Sequence, residues 1–163
     1  MSIRDFMIRG SDDLEVERLD TETLAALALH EGDLEVCTAA IIELGSRPLA
    51  RVETLEAARH LLQGAWADKH LKAAAIDAAF QSDAIAAAAL CSALLDSPPE
   101  PIVIDSMIRG VTTDAARFAT GGERLFADRL RAVASRVQPD ATCDGDMWRA
   151  FVINGLRGAG GAP

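Results

Sequence analysis

The side chains best suited to chemistry in this sequence are few: three histidines, three cysteines and one carboxylate-rich loop near the carboxyl end. His30 and Glu31 are adjacent, and such a pair can contribute to a divalent metal site when neighbouring helices supply further ligands. His60 and His70 have no glutamate beside them. His30 is therefore expected to sit at a helix end rather than on a metal. In "DATCDGDMWRAF", Asp140, Asp144, Gly145 and Asp146 fall at ligand and turn positions of a calcium-binding loop. The last position of such a loop needs a bidentate carboxylate, and Phe151 stands there. A helix-capping turn is the expectation, with Met147, Trp148, Phe151 and Val152 as the packing face of the helix that follows.

Cys37, Cys91 and Cys143 lie far apart with no C-x-x-C spacing, which points away from a zinc ribbon or a disulfide framework and towards a reducing compartment. Cys37 and Cys91 sit among apolar residues and read as small core members. The glycines of "TGGER" and "GLRGAGGAP" follow no predicted strand and precede no phosphate-loop lysine, so they read as turns and tail. There is no G-x-S-x-G elbow and no nucleophile constellation. The expectation is no cofactor, no metal and, on balance, no catalysis.

Composition sets the architecture that would have to hold any site. Half of the 163 residues are hydrophobic while only 4% are aromatic. Burial must then come from aliphatic residues and alanine, which suit closely approaching helices. The predicted class is all-α, as a single domain over residues 1–156 followed by a tail over 157–163, which offers little to bury. The formal net charge of -9 opposes a sequence-independent grip on nucleic acid. From Asp12 to Glu35, nine carboxylates face only Arg18. A basic protein is the partner this balance favours. The start lacks a long apolar core behind basic residues, and "AIAAAALCSALL" is short for a membrane span. A cytoplasmic location without membrane insertion is expected.

Caps and breakers divide the chain into short helices. Asp20 or Thr21 opens one running to about His30, and Asp33 opens a second that "GSRP" closes. A third runs from about Pro48 to Leu62, and a fourth from Asp68 to near Gln81. Asp83 opens a fifth reaching Leu95, and Pro101 begins a sixth that Gly110 stops. The last two cover about Glu123–Val137 and Met147–Leu156. The stretches from Asp33 and from Asp68, 35 positions apart, align without gaps. Val36 falls on Leu71, Ala39 on Ala74, Ala40 on Ala75 and Ile41 on Ile76, and each copy follows another amphipathic helix. A looser third copy contains "DSMIRG" (Asp105–Gly110), which is nearly repeated as "DFMIRG" at Asp5–Gly10, a candidate worn half-repeat at the amino end.

Over about residues 21–110 this pattern resembles HEAT-like α-helical repeat proteins. The resemblance implies a right-handed stack of antiparallel helix pairs, a HEAT-like α-solenoid. The proline-rich break before the third unit departs from the pattern, and an irregular helical bundle is the alternative. Some HEAT-like iron-dependent hydroxylases repeat a His-Glu pair on several helices, and here it occurs once. With Val36, Ala39 and Ala40 facing neighbouring helices, Glu35, Thr38, Ile42 and Glu43 turn outward, followed by His70 and Asp77 and then by Asp105 and Arg109. These eight are the candidate partner-binding residues. The functional expectation is a protein–protein interaction module, an acidic adaptor or an immunity-like inhibitor. The alternative is a small helical enzyme or ligand-binding protein with a pocket between helices, including a metal-dependent one.

Overall fold

The computed structural model describes residues 15–154. The motif at Asp5–Gly10 and the tail from residue 157 lie outside the described residues. Within them the protein is all-α, with eight α-helices, three short 3-10 turns and no strand. The helices are α1 (Thr21–Ala28), α2 (Leu34–Ser46), α3 (Arg51–Gln63), α4 (Lys69–Ser82), α5 (Ala84–Cys91), α6 (Pro101–Thr113), α7 (Gly121–Ala134) and α8 (Gly145–Asn154).

Aspartate caps set four of the eight starts. Asp20 accepts from Thr23 N–H at 2.7 Å, Asp33 from Glu35 and Val36 N–H at 3.1 Å each, and Asp68 from Leu71 N–H at 2.8 Å. Each satisfies amide donors that the first helical turn leaves without a partner. Asp144 does the same for α8, accepting from Met147 N–H at 3.0 Å. Pro101 occupies the first turn of α6, where its missing N–H costs nothing.

The chain divides into two compact units between Asp83 and Ala84. In the first, α1 packs on α2 and α3 on α4, while α2 lies against α4 and α1 against α3. Equivalent helices of the two aligned segments therefore touch. The aligned positions share their burial: Val36 and Leu71, Ala40 and Ala75, and Ile41 and Ile76 are all within 2% of full burial, and Ala39 and Ala74 are half-buried. Gly45 does not end α2, as its type suggests, but sits inside the last turn. A Cβ there would lie 2.7 Å from both Cα and Cβ of Ala78, so the glycine is what lets α2 and α4 approach.

In the second unit α5 touches α6 and α7, and α6, α7 and α8 contact one another. Gly110 does not stop α6, which continues to Thr113 because Val111 extends its buried stripe of Ile104, Met107 and Ile108. The final helix buries Trp148 and Phe151. The Trp148 indole donates to Ala134 O at 3.2 Å, and the Arg131 guanidinium lies 5.4 Å over the Phe151 ring.

Candidate functional site

The first unit carries an open groove of about 450 Å³ along the outward face of α2 and the first turn of α4. Leu34, Glu35, Thr38, Ala39 and Ile42 line it from α2, and Asp68 and His70 from the start of α4. The α2 residues share one face because their spacing follows the helical repeat. Ala39 supplies a low floor, while Ile42 is 54% and Leu34 37% exposed. Two carboxylates and no Lys or Arg belong to the lining. The Thr38 hydroxyl donates to Leu34 O at 2.7 Å, so it is turned back onto its own helix.

Four of the eight sequence-derived candidates, Glu35, Thr38, Ile42 and His70, thus come together. Glu43 does not join them: it is held by Arg47 at 2.9 Å, and the same guanidinium donates to the carbonyls of Val16 and Glu17. Its role is to fasten the Val16–Arg18 turn onto α2. Asp77 is half-buried further along α4 and outside the groove lining.

Asp105 requires a correction, because it is 1% exposed and presents no surface. Its carboxylate accepts from Asp144 N–H at 3.0 Å and from Arg109 Nη2 at 2.7 Å. It therefore anchors the start of α8 to α6 within the second unit. Burial pushes its pKa above the usual carboxylate value, against the lowering effect of the Asp144 amide and the Arg109 charge. The outward-facing position expected of it fails because the loop before α8 covers this side of α6. Arg109 remains half-exposed as the outer partner of that pair.

Several of the groups with metal or redox chemistry are engaged in local structure. His30 Nδ1 accepts from Gly32 N–H at 3.1 Å and the His30 carbonyl accepts from Cys37 Sγ at 2.9 Å, which closes the turn between α1 and α2. Burial raises the thiol pKa of Cys37 to about 11 and of Cys91 to about 12, leaving both protonated at neutral pH. Asp140 accepts from the amide and hydroxyl of Thr142, and Asp144 caps α8, so the 140–146 loop is a capping turn. Among the described residues no group of three or more His, Cys, Asp or Glu is placed to hold a metal. Nor is any described helix long and apolar enough to cross a membrane.

The second unit has a smaller groove of about 380 Å³ between α5 and α7, with Ile85, Ala88, Leu125 and Phe126 among its walls. Glu123 and Arg129 lie at its margin, and Arg129 is tied to Ser92 and Asp96 at 2.7 and 2.8 Å. Sequence reasoning missed this groove, since the exposed Leu125 reads as part of an ordinary amphipathic stripe. No protein-family model, curated protein or solved structure matches the chain.

Proposed function

We propose that this chain is a protein-binding module, an acidic adaptor or inhibitor, whose first unit is a two-repeat stack of HEAT-like helix pairs. The contact of equivalent helices, α1 with α3 and α2 with α4, supports the repeat reading, because a HEAT-like stack buries each pair against the corresponding faces of the next. The observation that carries the functional reading is the groove itself. It exposes Ile42 and Leu34 beside Glu35 and Asp68, an apolar strip with a charged margin of the kind interfaces use. His30, Cys37, Cys91, Asp140 and Asp144 are taken up by turns, core and a helix cap, which supports recognition through distributed side chains over a reactive centre built from them.

The test compares affinity capture by the wild-type chain and by an Ile42→Asp, Glu35→Arg double variant, with bound proteins identified by mass spectrometry. A stoichiometric partner held by the wild type and lost by the variant supports the reading. A partner retained equally by both moves the interface elsewhere. A stoichiometric metal, or a metabolite that selectively raises the melting temperature, overturns the reading in favour of a ligand-binding or catalytic one.

A further inference from the structure

Building on that reading, we infer that the α2–α4 groove receives a short basic amphipathic segment of the partner. An aliphatic side chain of that segment rests on Ile42 and Leu34 while its Lys or Arg groups meet Glu35 and Asp68. Shape supplies the first reason. A volume of about 450 Å³, broadly open to solvent, has room for an anchor side chain and its neighbours.

Charge supplies the second. Between Leu19 and Ser46 the sequence has six carboxylates, Asp20, Glu22, Glu31, Asp33, Glu35 and Glu43, and no Lys or Arg. The first cation beyond them, Arg47, is committed to Glu43 and to the backbone of the Val16–Arg18 turn. On the α4 side, Lys69 and Lys72 are half-buried and outside the groove lining. Carboxylates therefore outnumber cations along α2, which favours a cationic segment over an acidic one. The charges set encounter rate and partner choice, and the aliphatic contact sets how long the complex lasts.

The probe is a synthetic helical peptide with leucines on one face and lysines on the other, paired with a control in which glutamate replaces every lysine. Both are titrated into the full-length protein and followed by amide chemical shifts and fluorescence anisotropy. The expected result is binding of the lysine peptide alone, with the largest shifts at residues 34–42 and 68–70. Ile42→Asp should weaken it about tenfold or more, and Glu35→Gln should weaken it and flatten its salt dependence. Both residues are exposed, so the variants should fold, and circular dichroism checks this; Ile42→Ala gives a milder second truncation. Equal binding of both peptides overturns the inference. So do shifts scattered over the acidic surface, or an affinity unchanged by Ile42→Asp. If the peptide fails while a captured partner still depends on Ile42 and Glu35, the binding function stands and the basic-segment assignment falls.

Discussion

Thiol chemistry separates the three cysteines. Cys37 and Cys91 are fully buried and held protonated, whereas Cys143 is half-buried in the loop before α8, where burial also raises its pKa. Alkylation of the native protein should therefore modify Cys143 first, with Cys37 and Cys91 reacting only at the rate of unfolding; peptide mapping after timed quenching reads this order. Labelling of Cys37 as fast as Cys143 would contradict the packing. Asp105 makes a second residue-level prediction. Burial raises its folded-state pKa above the reference of 3.8. As pH rises through that interval, the unfolded chain releases the proton first while the folded chain keeps it. This group's share of stability is thus highest in acid and falls as pH climbs to the folded-state value. In urea denaturation across that range, Asp105→Asn should remove this decline while keeping an acceptor for Asp144 N–H. Asp105→Ala leaves that amide without its partner and should cost about 1–3 kcal/mol.

Helices in the first unit depend on one close approach. Replacing Gly45 by alanine favours the helix by up to about 1 kcal/mol through propensity alone. The new methyl would however meet the Ala78 backbone at 2.7 Å, and forcing packed helices apart costs about 1–3 kcal/mol. Because the obstacle includes main chain, the clash wins and Gly45→Ala should destabilise. Gly122→Ala in the first turn of α7 meets nothing within 4 Å and should be neutral or stabilising in the same denaturation assay. At this scale much was readable in advance. The aspartate caps at positions 20, 33 and 68 marked α1, α2 and α4 because a short carboxylate reaches the second or third amide beyond it, a purely local geometry. Gly110 does not end α6 as expected for the converse reason: whether a glycine ends a helix or lets it run on depends on what lies across from it.

Over the whole molecule, 25 acidic residues outnumber 16 basic ones. The described ion pairs are mostly exposed and worth about 0–1 kcal/mol each. Net self-repulsion should then dominate the response to salt. Raising salt from a few millimolar to about 0.5 M should raise the melting temperature at neutral pH, as calorimetry would show; a fall would mean that the ion pairs matter more than the net charge. The same acidity on α2 makes the groove selective for sign, so charge connects the molecule's stability to its proposed choice of partner.

Several features followed from sequence alone because they rest on short-range chemistry: the helical class, the caps, the buried cysteines and the aligned stripes of Val36 with Leu71 and Ile41 with Ile76. The outward placement of Glu35, Thr38, Ile42 and His70 followed too, since a helix facing one neighbour leaves a definite opposite face. Only the tertiary structure decided that these four line one groove, that Glu43 is taken by Arg47, and that Asp105 is covered by the loop before α8. Periodicity states which residues share a side of their own helix; which sides another segment covers depends on contacts between residues far apart in the chain.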